Sequence, residues 1–240
     1  MTNRNFTIEK IKRCLKESNS NIVFLQEVSG DNEKQKESIP NWSDNNQFEF
    51  LADSIWDHFA YGKNAIYQHG HHGNAILSEI PFSLQNNIDV SLMRVSQRGI
   101  LHGQLENGVH LLCVHLGLFE RERLNQAKQL IDYARSNIDS TQPLIVAGDF
   151  NDWRCNIHAL LRRELGLAEA HEFQHGSVAS TFPAILPVLT MDRIYVRGFE
   201  ITSCEVMSDS QWRWVSDHCA LTADLKLERD FRDTADFPSS

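Results

Sequence analysis

The chain has 240 residues, 41% of them hydrophobic, which is enough apolar material to bury one large core. Its formal net charge of -9 and the lack of a Lys- and Arg-rich run disfavour a binding track for duplex DNA. They do not exclude an enzyme of phosphate chemistry, because a bound divalent cation lets an acidic protein hold a phosphate. We expect a single domain over residues 1–228 and a polar tail over 229–240.

Five widely spaced cysteines without a CxxC pair indicate reduced thiols rather than a zinc or redox site. No run approaches the roughly eighteen apolar residues of a membrane span, and the first residues lack the apolar core of a signal peptide. From these features we expect a cytoplasmic protein without a transmembrane segment, and a monomer.

The first part of the chain predicts one helix, one strand and one loop. A helix over 7–17 is indicated by three apolar residues spaced for one face: Ile8, Ile11 and Leu15. The apolar run at 21–26 predicts a short buried strand that ends at Glu27. The polar stretch over 31–46 is rich in turn-forming residues and predicts a long surface loop.

The rest of the chain alternates strands with two helices. Residues 59–114 are strand-like, with a hairpin turn at 106–108. Apolar spacing predicts a helix over 124–138 and a second one that stops at Gly166. Further strands are expected at 143–148, 191–196, 201–207 and 219–227. The pattern predicts an α/β (α+β) fold in which mixed sheets pack on each other with helices outside.

Polar residues stand where several of these strands end or begin. Three of them directly follow apolar strand runs: Glu27, His115 and Asp149. Three others directly precede such runs: Asp192, Asp217 and His218. If the two groups of strands run in opposite directions, all six side chains meet at one rim and form a cleft lined by carboxylates and imidazoles.

This set suits the hydrolysis of a phosphate ester. Carboxylates at Glu27 and Asp217 are hard oxygen ligands for Mg²⁺ or Mn²⁺. Asp149 can orient or deprotonate water, and Asn151 offers an amide donor to a phosphoryl oxygen. The two histidines can donate protons or hydrogen bonds, with Asp192 holding one imidazole in its useful tautomer.

Each residue alone has a simpler explanation. A single Glu at a strand end is usually a solvated cap, and a single His in a strand is usually a hydrogen-bonded core residue. The word GDFN at 148–151 is also a plausible turn, since Gly, Asp and Asn favour turns. Their joint appearance in order along the chain is what favours function.

Six short words in fixed order resemble the endonuclease/exonuclease/phosphatase superfamily. They are LQEV (25–28), GNAILS (73–78), VHL (114–116), GDFN (148–151), DRIYV (192–196) and SDH (216–218). Within it the chain is similar to a bacterial, YbhP-like branch. The resemblance implies a four-layer sandwich of two mixed β-sheets between helices, and hydrolysis of phosphomonoesters or phosphodiesters that depends on Mg²⁺ or Mn²⁺ and uses a water nucleophile.

The resemblance also implies a role for each site residue. Glu27 and Asp217 would serve the metal, and Asp149 would activate water. Asn151 and His115 would stabilise the transition state, with Asp192 supporting His218. Three further residues would contact the substrate phosphate: Asn74 and His72 by the resemblance, and Arg98 by its position before a strand.

One departure from the family pattern concerns the start of the chain. Members usually open with a strand of the type TYNIH, whose Asn lies near the metal, whereas this chain enters its first helix directly after MTNRNF. The expectation is that the start of the chain was assigned too late. The alternative is a catalytically impaired member of the fold that binds a phosphorylated ligand or a partner protein.

Several features leave alternatives open. Among substrates, a phospholipid, nucleotide, nucleic acid and sugar phosphate remain possible. His69, His71 and His72 suggest a second metal site, but a surface loop is favoured because no carboxylate or Cys lies nearby in sequence. Arg193 either faces phosphate or is solvated. For three tryptophans a substrate-lining role competes with core packing, which is favoured: Trp153, Trp212 and Trp214.

Overall fold

The computed structural model describes residues 4–32, 47–53, 55–67, 70–92 and 96–228. The helices are α1 (Arg4–Glu17), α2 (Gln47–Ala52), α3 (Glu120–Asn137), α4 (His158–Leu165) and α5 (Ala170–His175). The first six strands are β1 (Ile22–Asn32), β2 (His58–Tyr67), β3 (Gly70–Ser78), β4 (Phe82–Asp89), β5 (Gly99–Leu105) and β6 (His110–His115). The others are β7 (Leu144–Asp149), β8 (Ala168–Glu169), β9 (Asp192–Arg197), β10 (Phe199–Met207) and β11 (Ala220–Leu227).

The largest sheet has six strands in the order β4-β5-β6-β7-β9-β8. Its central pair, β6 and β7, is parallel, and α3 provides the crossover that parallel neighbours require. The other neighbours in this sheet are antiparallel. Both central strands are buried along their whole length, which explains their continuous apolar sequences.

A second layer consists of two antiparallel pieces, β1-β3-β2 and β10-β11. Alternate residues of β6 point to opposite faces of the large sheet, so Leu111 packs towards this second layer and Leu112 towards the helices. The core between the layers includes Ile76 of β3 and Cys204 of β10. Helices α3 and α4 cover the outer face of the large sheet, and α1 and α2 cover β1 and β3.

The predicted four-layer α/β sandwich is confirmed. Among the described residues, however, the six-stranded sheet alone is mixed, since every pairing in the second layer is antiparallel. The hairpin turn at 106–108 and the helix stop at Gly166 are where the sequence placed them. Gly166 adopts a left-handed φ of 63°, as a glycine after the end of a helix commonly does.

The first strand differs from its prediction, because β1 continues past Glu27 to Asn32. Of the loop predicted over 31–46, the first two residues belong to β1 and the others lie outside the described residues, as do His69 and the predicted tail at 229–240. Described residues begin with α1, so no described strand precedes that helix. No helix in the described ranges is long and apolar enough to cross a bilayer.

Candidate active site

The site lies at one edge of the six-stranded sheet, where β6, β7 and β9 bring three polar residues into a row. His115 is the register partner of Asp149, and Asp149 is the register partner of Asp192. His115 and Asp149 end parallel strands, whereas Asp192 begins an antiparallel one. The prediction that opposite strand directions gather these residues at one rim is therefore confirmed for this row.

A glycine lets β6 and β7 approach closely just before the row. Gly148 has a φ of 140°, and a Cβ built on it would stand 2.0 Å from the carbonyl oxygen of Val114. No other residue fits this contact without moving the two central strands apart. The GDFN word therefore begins with glycine for a steric reason.

Asp149 is buried and held on both carboxylate oxygens. Its Oδ1 accepts a hydrogen bond from the backbone N–H of Asn151 at 2.8 Å, and its Oδ2 accepts one from the Asn151 side-chain amide at 3.1 Å. Burial, together with the negative charge of Asp192, raises the pKa of Asp149 to about 7. This carboxyl group therefore exchanges its proton near neutral pH.

Asn151 reaches Asp149 through a left-handed backbone, with a φ of 51° that Asn tolerates better than most residues. Its side-chain amide also donates to the carbonyl oxygen of Leu116, at 2.9 Å. Both amide hydrogens are thus engaged within the protein. These contacts support a role in holding Asp149, in place of the predicted contact with a phosphoryl oxygen.

His115 lies between Asp149 and Glu27. Its Nε2 is 3.4 Å from Asp149 Oδ2, and its Nδ1 is 4.0 Å from Glu27 Oε1. Burial lowers the pKa of His115 to about 3, and the positive charge of Arg98 acts in the same direction. The imidazole is therefore neutral at neutral pH, and it acts as a hydrogen-bonding group rather than as a charge.

His218 pairs with Asp192 across the cleft from Asp149. The imidazole Nδ1 and Asp192 Oδ2 are 2.8 Å apart, and the Thr181 hydroxyl donates to the same oxygen at 2.6 Å. Burial favours the neutral imidazole, but the hydrogen bond and charge of Asp192, with Asp149, raise the pKa of His218 to about 9. His218 is thus a cation at neutral pH. Sequence reasoning missed Thr181, whose only signal is its place in the segment TFPA (181–184) before the DRIYV strand.

Glu27 lies inside β1 rather than at its end. A register shift between Leu25 and Val28 and a φ of 56° at Glu27 mark a β-bulge, which turns the carboxylate towards His115. The side chain is 66% exposed. A bulge depends on pairing with β3, so the local apolar run could not reveal it.

Two groups of side chains could bind a cation: one is Asp149, Asp192 and His218, and the other is Glu27 and Asp217. Asp149, Asp192 and His218 place ligand atoms within 4.8 Å of one another. A cation there would have to displace the proton of His218 and the hydrogen bonds that occupy Asp192. Glu27 and Asp217 are exposed, and the Asp217 carboxylate has no hydrogen bond or ion pair among the described residues, so its oxygens are available to a ligand. Hard oxygen donors of this kind fit Mg²⁺ or Mn²⁺.

The three residues predicted to contact substrate have different surroundings. Arg98 acts electrostatically on His72, His115 and Asp149, so its charge reaches the site. Its buried Nε has no hydrogen-bond partner among the described residues. Burial lowers the pKa of His72, which Glu27 opposes and Arg98 reinforces. Asn74 is buried, and its amide donates to the carbonyl oxygens of residues 99 and 113, so its donors are already used.

Arg193 does not face phosphate. Adjacent strand residues point to opposite faces, so Arg193 turns away from the cleft that Asp192 faces. Its guanidinium is fully buried and forms an ion pair with the equally buried Asp152, at 3.2 Å. Asp152 also accepts hydrogen bonds from the backbone N–H groups of Asn156 and Ile157. This pair therefore fixes the loop that follows GDFN, a role the sequence did not reveal.

The tryptophans divide in two. Trp212 is buried in the core beside α1, as predicted, but Trp153 and Trp214 are 45% and 65% exposed, so core packing is wrong for them. His71 contacts the hydroxyl of Tyr61 through Nδ1 at 2.9 Å. Among the described residues, neither His71 nor His72 belongs to a group that could hold a metal ion.

The chain belongs to the endonuclease/exonuclease/phosphatase family, since the sequence model of that family matches residues 2–218. Members of this family generally hydrolyse phosphate esters and typically use divalent metals. The chain is 39% identical over 230 residues to the "Uncharacterized protein YbhP" of Escherichia coli (strain K12), covering 94% of this chain and 90% of that protein.

Two solved structures share the fold at low identity. One is an endonuclease/exonuclease/phosphatase family protein from Leptotrichia buccalis, with a TM-score of 0.75, 15% identity and 95% of both chains covered. The other is a mannosyl-6-phosphatase from Bacteroides thetaiotaomicron, with a TM-score of 0.68 and 14% identity, covering 93% of this chain and 91% of that one. They support the architecture and leave the substrate of this chain open.

Proposed function

We propose that this chain hydrolyses phosphate esters, with water as the nucleophile and with the help of Mg²⁺ or Mn²⁺. The observation that carries the proposal is the pairing of a base and an acid across one cleft. Asp149 has a pKa of about 7 and His218 has a pKa of about 9, so between these pH values the carboxyl is ionised while the imidazole is still protonated. Two titratable groups with environments that separate their proton affinities in this way suit general acid–base catalysis.

In this proposal the ionised Asp149 accepts a proton from the attacking water while Asn151 holds its carboxylate. The cationic His218, held by Asp192, donates a hydrogen bond or a proton to the oxygen on which charge develops. His115 is neutral and contributes a hydrogen bond to the phosphoryl group. Glu27 and Asp217 would hold the cation, which would supply neutralisation of the phosphoryl charge.

Arg98 is the residue best suited to bind the substrate phosphate. Its guanidinium carries a permanent charge, and its unpartnered Nε offers a donor. The charges of Glu27 and Arg98 both act on the pKa of His72, which places His72 near these residues, and it is the second contact with the substrate phosphate in this proposal. Asn74 contributes through its carbonyl oxygen or by supporting the strands, because its amide donors are engaged.

The test uses purified full-length protein with Mg²⁺ or Mn²⁺ and a panel of four substrates: bis-p-nitrophenyl phosphate, p-nitrophenyl phosphate, DNA and phospholipids. Hydrolysis of at least one is expected, and Asp149→Ala should lower kcat by about 100-fold or more because it removes the base. The matched control is Asp132→Ala, which removes an exposed carboxylate from α3 and should leave the rate unchanged.

Two results would reject the proposal: no turnover on any substrate, or a rate that Asp149→Ala leaves unchanged. If the protein binds inorganic phosphate and divalent cations without turnover, the impaired, ligand-binding alternative replaces it. If the protein does turn over substrate, comparing its rates on bis-p-nitrophenyl phosphate and on p-nitrophenyl phosphate separates diesterase from monoesterase activity.

A further inference from the structure

An uncharged segment, TFPAILPVLTM at residues 181–191, stands directly beside the site. Backbone hydrogen bonds between Phe182 and Leu189, and from Val188 back to Phe182, close it into a short hairpin. The side chains at its tip are aliphatic and 62–69% exposed: Ile185, Leu186 and Val188. We call this segment the apolar finger.

The apolar finger is attached to the site at three points. Thr181 donates to Asp192, as described above, and the backbone N–H of Ala184 donates to the carbonyl oxygen of Asp217 at 2.7 Å. The ring of Phe182 lies 4.8 Å from that of His218, between centroids. A binding partner that contacts the tip of the finger therefore also lies close to the opening of the cleft.

Neighbouring loops extend the apolar surface. Seven of the twelve large hydrophobic side chains exposed among the described residues belong to the finger or to the loops after β6, after β7 and before β11. The four contributed by these loops are Leu118, Phe119, Trp153 and Trp214. Glu120, the first residue of α3, forms an ion pair with Arg154 in the loop after β7, at 3.4 Å. These loops adjoin the strand ends and the turn that carry the site residues, and exposed apolar side chains around a cleft commonly mark an interaction site.

The chemistry of the rim favours a lipid surface. The tip presents aliphatic groups without hydrogen-bonding side chains, and the two exposed tryptophans of the neighbouring loops each have an arginine next to them in sequence. The Arg154 guanidinium lies 4.4 Å from the Trp153 ring centre, and Arg213 is exposed beside Trp214. Aliphatic residues followed by a border of Trp and Arg match the acyl and headgroup levels of a bilayer, where arginines meet lipid phosphates. The aliphatic tip disfavours nucleic acid, which proteins bind through basic and aromatic side chains.

We propose that the apolar finger and the loops around it dock onto a phospholipid bilayer, with Ile185, Leu186 and Val188 among the acyl chains and the cleft at the level of the headgroup phosphates. Docking does not require turnover. The further step, that membrane phospholipids are the phosphate esters hydrolysed, rests on the function proposed above.

The experiment measures binding of the full chain to unilamellar vesicles of phosphatidylcholine and phosphatidylglycerol by co-sedimentation. Wild type and Asp149→Ala are both used, so that lipid hydrolysis does not disturb the binding curve. The double variant Ile185→Ser, Leu186→Ser should weaken vesicle binding by about 100-fold, because two aliphatic side chains no longer leave water. The control Leu84→Ser removes an exposed leucine from β4, whose partner Gln104 pairs with His110 at the opposite end of the sheet. It should bind like wild type.

Failure of wild type to bind vesicles overturns the docking proposal whatever its activity on soluble esters. Equal binding by the double variant, with an unchanged near-ultraviolet circular dichroism spectrum, also overturns it. Light scattering adds a third such outcome: self-association of wild type without vesicle binding would make the rim an interface between copies.

Substrate class is read separately from release of the phospholipid headgroup by wild type. Vesicle binding with faster hydrolysis of vesicle lipid than of bis-p-nitrophenyl phosphate supports both steps. Vesicle binding with turnover of soluble esters alone rejects the substrate class and keeps docking. Vesicle binding without any turnover rejects the function proposed above and keeps docking.

Discussion

Asp192 sets the proton affinity of His218 through a 2.8 Å hydrogen bond and through its charge. Asp192→Asn keeps the shape and removes the charge, so we expect the pKa of His218 to fall from about 9 towards its ordinary value of 6.5. The alkaline limb of the pH–rate profile should move to lower pH with it, and kcat at pH 8 should fall by up to about 30-fold, since so much less of His218 carries its proton. Titration of the imidazole by NMR and a pH–rate profile measure the two effects.

The control is Glu205→Gln, which removes a carboxylate beside His175, at 3.9 Å. It should leave the titration of His218 unchanged, and an unchanged His218 pKa in Asp192→Asn would contradict the assignment.

The raised pKa of His218 also has a consequence for folding. Because the pKa of His218 is raised in the folded protein, its contribution to stability is fully present below pH 6.5 and is lost as the pH rises through about 9.

Two arginines near the cleft differ in what they contact, and their loss should be felt differently. Arg193→Met leaves Asp152 buried without its partner, which should lower the free energy of unfolding by about 3–5 kcal/mol. Arg98→Met removes a guanidinium whose Nε has no partner among the described residues, so stability should change little. Its kcat/KM should instead fall by about 10–100-fold through loss of a charged hydrogen bond to phosphate.

Denaturant unfolding and steady-state kinetics on both variants test this contrast. A large loss of stability in Arg98→Met, or normal stability in Arg193→Met, would contradict the role assigned to that arginine.

Sequence alone could not separate the roles of these two arginines. Each arginine lies at the start of a strand, Arg98 directly before β5 and Arg193 within β9, and only the direction of its side chain decides what it contacts.

Among the elements, the close pairing of β6 and β7 makes a specific demand on Gly148. Gly148→Ala places a Cβ 2.0 Å from the Val114 carbonyl oxygen at a φ of 140°. Backbone strain and overpacking together should lower the free energy of unfolding by about 2–6 kcal/mol. Activity should fall as well, because Asp149 moves with the strand. Gly108→Ala is the control, since its φ is 84° but nothing lies within 4 Å of its Cβ. About 1 kcal/mol of backbone strain is expected there.

Thermal unfolding of both variants gives the comparison, and equal losses of stability would mean that the contact between the strands is not the cause.

The helices and strands themselves could be predicted where a local sequence pattern decides them. Apolar spacing identified α3 and α4, and continuous apolar runs identified β6 and β7. The bulge at Glu27 was missed because a register shift is a property of two strands, and the sequence of one strand does not contain it.

At the scale of the whole molecule, the order of the strands in the large sheet explains why residues distant in sequence meet. His115, Asp149 and Asp192 are neighbours because β6, β7 and β9 are neighbours. The parallel strands β6 and β7 end at this edge and the antiparallel strand β9 begins there, which brings all three residues together. The sequence predicted that edge from the position of polar residues relative to apolar runs. It did not predict the exposed finger, since an apolar run such as AILPVL is equally typical of a core segment, and only the folded structure shows that its tip is exposed.

This edge also concentrates negative charge on a chain whose net charge is already -9, with four carboxylates from Glu27, Asp149, Asp192 and Asp217. A divalent cation relieves their repulsion and binds the folded protein alone, so it should stabilise the fold by mass action. At a concentration about 100 times the dissociation constant, the gain is about 2.7 kcal/mol, or roughly 5–10 °C in Tm for a chain of this size. Scanning calorimetry with Mg²⁺ or Mn²⁺, against the same protein in EDTA, measures the shift.

Glu27→Gln should abolish most of that shift, because it removes an exposed hard oxygen donor without disturbing the core. Glu106→Gln makes the same charge change in the turn between β5 and β6, at the opposite end of the sheet from Asp149. It should keep the full response, which separates binding at the site from a general effect of ions on an acidic surface. Equal responses in the two variants would remove Glu27 from the ligand set. No response in the unmodified chain would mean that the cleft holds no cation.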